Sequence, residues 1–211
     1  MNAATHAGTG RLAFARHGET AWTGRQYAGH TDLALTARGL SSAASVAAHV
    51  ARLGLMEDPA AVIVASPLRR AVDTARLVAE AVDRPVEIDP RWMEVSFGSV
   101  EGLTFEEARL AWPEVANRLA AGDLEIDWPH GETWLALRER IAAALDDVRA
   151  RATPVLVVGH GIAIRVALTM LAGPTVAQEN RPGLPAGGLV VARDTGHGWA
   201  LETPPPEGGP A

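Results

Sequence analysis

The chain has 211 residues, enough for one domain of ordinary size with a hydrophobic core of its own. It contains no Cys and no Lys, which excludes disulfide scaffolds, thiolate metal sites, cysteine nucleophiles, Walker-type phosphate loops and Schiff-base lysines. The formal net charge of −6 argues against nucleic acid or an anionic membrane as the main partner.

We expect no secretory signal in the first ten residues. Residues 1–10 lack the basic and apolar segments of a secretory signal, and no apolar run is long enough to span a bilayer. We therefore expect a cytoplasmic protein with no membrane partner. We predict a single domain over residues 11–202, with flexible tails at residues 1–10 and 203–211.

Short apolar runs predict five buried strands and one edge strand. Their Val, Ile and Leu content, over three to five residues, favours strand over helix. They lie at residues 12–15, 61–65, 86–88, 155–158 and 189–192, with the edge strand at 199–201.

Longer amphipathic stretches between these runs predict helices. Ser66 is interpreted as an N-cap followed by Pro67 at the first helical position, and Thr104 as the start of a capping box. The predicted helices cover residues 36–53, 68–82, 104–119, 132–151 and 162–171. This alternation predicts a three-layer α/β/α sandwich with a mainly parallel central sheet. Residues 101–133, approximately, form a helical insertion over the end of the sheet where the active site is expected.

Charged and imidazole side chains follow four of the predicted strands. Because ligands of open α/β sheets bind outside the carboxyl ends of the strands, we expect these side chains to meet at one edge. They are Arg16 and His17, Arg69 and Arg70, Glu94, and His160 with Gly161.

This set of side chains suits phosphoryl transfer. The planar guanidinium group of arginine can donate two parallel hydrogen bonds to phosphate oxygens, and a neutral imidazole is a competent nucleophile toward phosphorus. A second histidine can stabilise the transferring group, a carboxylic acid can protonate the leaving oxygen, and Gly161 opens a helix whose amides favour an anion. Nothing in this chemistry requires a metal or another cofactor.

Four motifs in order resemble the histidine phosphatase superfamily, also called phosphoglycerate-mutase-like, and the resemblance covers residues 11 to 201, approximately. The motifs are Arg16-His17-Gly18-Glu19, Ser66-Pro67-Leu68-x-Arg70, Glu94-x-x-Phe97-Gly98-x-x-Glu101-Gly102 and Gly159-His160-Gly161. The resemblance implies that His17 is the phosphorylated nucleophile, that Arg16, Arg70 and His160 bind the phosphoryl group, and that Glu94 is the proton donor.

The expected substrate is a small phosphomonoester. The predicted contacts are Thr23, Arg25, Gly29, His30 and Gly161. We expect selectivity to come from the loop at residues 23–32 and from the insertion, and we expect substitution of Arg25, His30 or Trp128 to change the ranking of substrates. Trp112 and Trp128 are interpreted first as core or lid packing, with the pocket wall as the alternative.

Several alternatives stay open from sequence. Arg69 competes with Arg70 for the phosphate; Glu101 and Glu19 compete with Glu94 for the acid role; and Glu132 is interpreted first as a carboxylate at a helix N-terminus. Hydrolysis is favoured over mutase activity because the mutases of the superfamily are longer and, as the resemblance implies, grip substrate partly through a lysine. A catalytically silent phosphate-binding protein is a third reading, and a homodimer is left open.

Overall fold

The computed structural model describes residues 11–173 and 184–203, and in this part of the chain six strands form one mixed sheet. In chain order they are β1 (Arg11–Arg16), β2 (Val62–Ala65), β3 (Val86–Ile88), β4 (Val155–Gly159), β5 (Leu189–Asp194) and β6 (Trp199–Glu202). Their order across the sheet is β3-β2-β4-β1-β5-β6, with the first four strands parallel and the last two added antiparallel. The mainly parallel sheet is confirmed, and the predicted tails lie outside the described residues except for Thr203.

Helices cover both faces of the sheet. They are α1 (Ala37–Arg52), α2 (Arg69–Val82), α3 (Phe105–Ala111), α4 (Pro113–Ala120), α5 (Trp134–Arg149) and α6 (Gly161–Ala172). Because successive strand residues point to opposite faces, Phe14 packs in one core with α5 and α6, while Ala15 packs in a second core with α1 and α2. The predicted three-layer sandwich is therefore confirmed. Within the described residues, no helix is both long and apolar enough to cross a membrane.

Two predicted helix boundaries are wrong, each for a local reason. Ser66 does not cap α2, whose N-cap is Leu68 without a side-chain bond, because the Ser66 hydroxyl is bonded to His160 instead. The insertion is two helices rather than one: Trp112 leaves the helical conformation before Pro113, which starts α4. The capping box of Thr104 is present as predicted.

The turn after β1 depends on a close approach between two glycines. A Cβ on Gly18 would collide with the carbonyl oxygen of Gly39 in α1, and a Cβ on Gly39 would collide with the carbonyl of Glu19. Helix α1 therefore packs directly on the turn that carries His17, and a larger side chain at either glycine would displace it.

Candidate active site

A cavity of about 310 Å³ opens at the carboxyl ends of the parallel strands. Its polar end is formed by residues from four separate segments: Arg16, His17, Arg70, Glu94 and Gly161. The sequence motifs therefore do meet at one edge of the sheet. His160 is completely buried and does not line the cavity, but its ring centroid lies 5.1 Å from that of His17.

His17 lies one residue past β1 with its ring held in one orientation. Its backbone N–H donates to the carbonyl of Gly159, and its Nδ1 lies 2.6 Å from the carbonyl oxygen of Gly18. A carbonyl only accepts, so Nδ1 carries the proton and Nε2 keeps its lone pair. Burial, together with the positive charges of Arg70 and Arg16, holds the pKa of His17 well below its ordinary value. The imidazole is therefore neutral near pH 7, with an unprotonated Nε2.

Two buried guanidiniums flank this nitrogen. Arg70 is 1% exposed, and its Nε donates to Nε2 of His17 at 3.2 Å. Arg16 donates through one terminal nitrogen to the carbonyl of Leu184 at 2.8 Å, and its buried Nε has no hydrogen-bond partner among the described residues. Burial lowers the pKa of both arginines from the ordinary value, which for guanidinium leaves both groups charged at neutral pH. The cavity end is thus an anion site beside a nucleophilic nitrogen.

The neighbouring arginines take separate roles. Arg69 is exposed and lies 3.5 Å from Asp73, whereas Arg70 turns into the cavity. The terminal nitrogens of Arg70 donate to the carbonyls of Gly29 and Thr31, each at 2.7 Å. The loop after β1 therefore fixes the guanidinium through main-chain oxygens.

Glu101 in turn holds that loop in place. Its carboxylate accepts from the backbone N–H groups of His30 and Phe97 and from the hydroxyl of Thr31, at 3.0 to 3.2 Å. Gly29 has a φ of +45°, and a Cβ there would collide with the same carboxylate. Glu101 lies outside the cavity lining and acts on Arg70 through this loop and through its negative charge.

His160 is held by a hydrogen bond at Nε2, whereas His17 is held by a hydrogen bond at Nδ1. Its Nε2 lies 2.8 Å from the hydroxyl oxygen of Ser66, which also accepts from the backbone N–H of Leu68 at 3.3 Å. The Leu68 amide occupies one lone pair of the Ser66 oxygen and leaves the hydroxyl proton available, and we assign that proton as donated to Nε2 of His160. Nδ1 of His160 then carries the ring proton, and among the described residues this buried atom has no partner. Burial, with the charge of Arg70, also lowers the pKa of His160.

Glu94 follows β3 and lies against the first turn of α6. Its carboxylate accepts three backbone N–H groups, those of Val95, Ile162 and Ala163, at 3.1 to 3.2 Å. The orphan amides at a helix N-terminus are natural partners for a carboxylate. Glu94 is 8% exposed and lines the cavity, so one carboxyl group faces the site beside His17 and the two arginines.

The backbone of Glu94 depends on Arg140, a residue that the sequence analysis missed. Arg140 pairs in a bidentate manner with Glu132, at 2.6 and 2.7 Å, and donates to the carbonyls of Arg91, Met93 and Glu94. Glu132 is thus a partner of Arg140 rather than a carboxylate serving the start of α5, whose N-cap is Thr133. No spacing in the sequence links position 140 to position 94, so only the fold reveals this contact.

Some of the predicted substrate contacts line the cavity and others do not. Thr23 and Gly29 line the cavity with Gly161, whereas Arg25 is exposed and outside the lining. His30 is also outside it, because its Nε2 is turned to the Glu94 carbonyl, 2.9 Å away. Glu19, the other carboxylate weighed for the acid role, instead accepts from the hydroxyl of Thr36.

Two tryptophans of the insertion pack against the core, as the first interpretation of the sequence expects. Trp128 is buried against Phe97 and Trp112 packs at the edge of the core, and neither lines the cavity. Trp22, which the sequence analysis did not single out, does line it. The side chains proposed from sequence as selectivity determinants, Arg25, His30 and Trp128, thus lie outside the cavity lining, and their effect on selectivity stays a prediction.

Comparison with known proteins agrees with this geometry. The family model described as histidine phosphatase superfamily (branch 1) matches residues 12–204. The chain belongs to this superfamily. It is 34% identical over 174 residues to "Probable phosphoglycerate mutase GpmB" of Enterobacter sp. (strain 638), covering 79% of this chain and 76% of that protein.

Solved structures of the superfamily share the fold. "Mycobacterial hydrolase 1" superposes with a TM-score of 0.76 at 27% identity, over 91% of this chain and 96% of that one. The mycobacterial glucosyl-3-phosphoglycerate phosphatase Rv2419c superposes with a TM-score of 0.72 at 27% identity, over 92% and 97%. Relatives thus include a protein named as a mutase and one named as a phosphatase.

Proposed function

We propose that this histidine phosphatase superfamily member is a phosphomonoester hydrolase that works through a phosphohistidine at His17 without a metal ion. The observation that carries the proposal is the state of His17: a buried, neutral imidazole with its lone pair at Nε2, next to the guanidinium of Arg70. An anionic phosphoryl group drawn to the two arginines would meet that lone pair directly.

The reaction has two steps in this proposal. In the first, Nε2 of His17 bonds to phosphorus, the P–O ester bond breaks, and the alcohol oxygen takes a proton from Glu94. In the second, Glu94 as carboxylate takes a proton from water, the water oxygen bonds to phosphorus, and the N–P bond breaks to release inorganic phosphate. Arg16, Arg70 and the Nδ1–H of His160 stabilise the charge on the phosphoryl oxygens in both steps.

A phosphate-release assay tests the hydrolase. With p-nitrophenyl phosphate and a panel of cellular phosphomonoesters, we expect turnover that persists in EDTA and is abolished in His17→Ala. His197→Ala, an exposed histidine far along the chain from the motifs, is the matched control and should retain wild-type activity. Loss of activity in EDTA that added metal restores would overturn the metal-free reading.

Mutase activity is the second candidate, favoured by the name of the GpmB relative. The discriminating assay follows 3-phosphoglycerate with and without 2,3-bisphosphoglycerate. We expect slow phosphate release and no efficient interconversion to 2-phosphoglycerate; rapid interconversion would establish the mutase reading instead.

A further inference from the structure

Aromatic side chains are concentrated at the cavity. The whole sequence has only three Phe and one Tyr, and two of these Phe residues and the Tyr line this cavity together with Trp22. Leu119 and Ile162 add aliphatic surface. Beyond the five residues of the polar end, most of the large side chains that line the cavity are therefore aromatic or aliphatic, with Arg165 as a further charged one.

These rings form a preorganised wall, which we define as Trp22, Tyr27, Phe97 and Phe105. Tyr27 packs edge-to-face on both Phe97 and Phe105, with ring centroids 5.1 Å apart in each case. Tyr27 and Phe97 are buried and anchor the wall, and the Tyr27 backbone bonds to Leu103 and Gly102 at the start of the insertion. Tyr27, Phe97 and Phe105 are therefore packed against one another before any ligand arrives, and Trp22 lines the same cavity.

Phe105 is left incompletely covered at the mouth of this cavity. Its side chain belongs to the first turn of α3 and is 49% exposed, although it packs on Tyr27. Removal of apolar surface from water is favourable, so a ligand that covers Phe105 in this concave site would bind more tightly. A ligand with a flat apolar face would supply that cover.

The polar side chains in the same part of the cavity are already engaged with the protein. Thr20 and Thr23 bond to each other, Gln26 donates to the carbonyl of Gly102, and Arg165 donates to the carbonyl of Gly122. A polyhydroxylated sugar would lose its hydrogen bonds to water here and find few side chains prepared to replace them.

We propose that the alcohol part of the substrate carries a flat apolar ring that lies against this aromatic wall while the phosphoryl group is held by Arg16 and Arg70. This inference rests on the proposed hydrolase function and adds the substrate class. Discrimination then comes from the ring, since every phosphomonoester offers the same phosphoryl group to the polar end.

Three primary alkyl phosphates test the proposal: 2-phenylethyl phosphate, 2-cyclohexylethyl phosphate and sn-glycerol 3-phosphate. We expect kcat/KM for 2-phenylethyl phosphate to exceed that for sn-glycerol 3-phosphate by about tenfold or more, with the non-planar cyclohexyl compound between them. Phe105→Ala should lower the ratio of kcat/KM between the first and the last compound by about tenfold. Trp22→Ala should lower it in the same direction.

Leu110→Ala is the matched control, because Leu110 lies on α3, is 68% exposed and does not line the cavity. It should leave the ratio unchanged. Equal kcat/KM for the phenyl and glycerol compounds in the wild-type protein would overturn the substrate class while leaving the hydrolase intact.

Absence of turnover with all three compounds and with p-nitrophenyl phosphate would instead remove the proposed function. Binding of 2-phenylethylphosphonate, measured by calorimetry, then still tests the wall without turnover. Wild-type affinity retained in Phe105→Ala would overturn the inference, and weaker binding by about tenfold would support it.

Discussion

Replacing Ser66 by Ala removes the hydroxyl that sets the tautomer of His160. Ser66 is fully buried, its oxygen lies 2.8 Å from Nε2 of His160 and also accepts from Leu68, and in the tautomer assigned above its proton is donated to Nε2. Without the hydroxyl, either Nε2 stays an unpaired buried acceptor or the proton moves to Nε2. In the second case Nδ1 presents a lone pair to the phosphoryl oxygens where it had presented a donor.

The expected decrease in kcat for Ser66→Ala follows from the free-energy cost of leaving one buried polar group without a hydrogen-bond partner, which is about 1–3 kcal/mol. If that cost falls on the transition state, kcat decreases by about 5- to 150-fold. Steady-state phosphate release measures kcat, and the ¹⁵N chemical shifts of His160 measure the tautomer. We expect the wild-type ring to be protonated at Nδ1 and the Ser66→Ala ring to shift toward protonation at Nε2.

Ser99→Ala is a matched control, because Ser99 also lies 2.8 Å from a histidine nitrogen, Nδ1 of His130, but is exposed and outside the cavity. It should leave kcat unchanged. A Ser66→Ala protein with kcat within twofold of wild type, or a wild-type His160 protonated at Nε2, would refute the reasoning.

Three further predictions follow from the geometry of the site and from burial. Glu94→Gln should slow release from alkyl phosphates by about 10²–10⁴-fold and from p-nitrophenyl phosphate by less, because p-nitrophenolate leaves without a proton; equal losses would move the acid role elsewhere. Glu101→Gln should raise the inhibition constant of inorganic phosphate by about tenfold, because it loosens the loop that holds Arg70. Glu106 is exposed and pairs with Arg109, so the control Glu106→Gln should leave this constant unchanged. Because burial lowers the pKa values of His17 and His160, the unfolded chain binds more protons than the folded chain below about pH 6.5, approaching two more near pH 5.5; the free energy of unfolding measured in urea should therefore fall by about 2 kcal/mol between pH 6.5 and 5.5, and by less in His160→Asn.

The sequence allowed the sheet and its charged edge to be predicted because the signals were local. Each strand is a short apolar run, and each motif residue stands within a few positions of a strand end. The rule that ligands bind at the carboxyl ends of parallel strands then brings Arg16, His17, Arg70 and Glu94 together without knowledge of any contact.

The residues that hold this site in place could not be predicted in the same way. Ser66 satisfies the local signature of an N-cap, but its hydroxyl is taken by a histidine 94 positions away. Arg140 looks like an ordinary charge on an amphipathic helix until its contact with Glu94 appears. The exposed Arg25 and the inward-facing Trp22 are three positions apart in one loop, and only the path of that loop decides which one faces the cavity.

Two histidines of the same chain are prepared for different tasks by one hydrogen bond each. A carbonyl acceptor at Nδ1 leaves His17 with a lone pair at Nε2, and a hydroxyl donor at Nε2 leaves His160 with a proton at Nδ1. The nucleophilic task of His17 requires a neutral ring, because a protonated imidazole has no lone pair to give. Burial beside Arg70 keeps both rings neutral, so in the proposed reaction proton exchange with the alcohol and with water falls to Glu94, the carboxylate lining the cavity. Loss of either hydrogen bond should therefore impair the reaction while leaving every catalytic side chain in place.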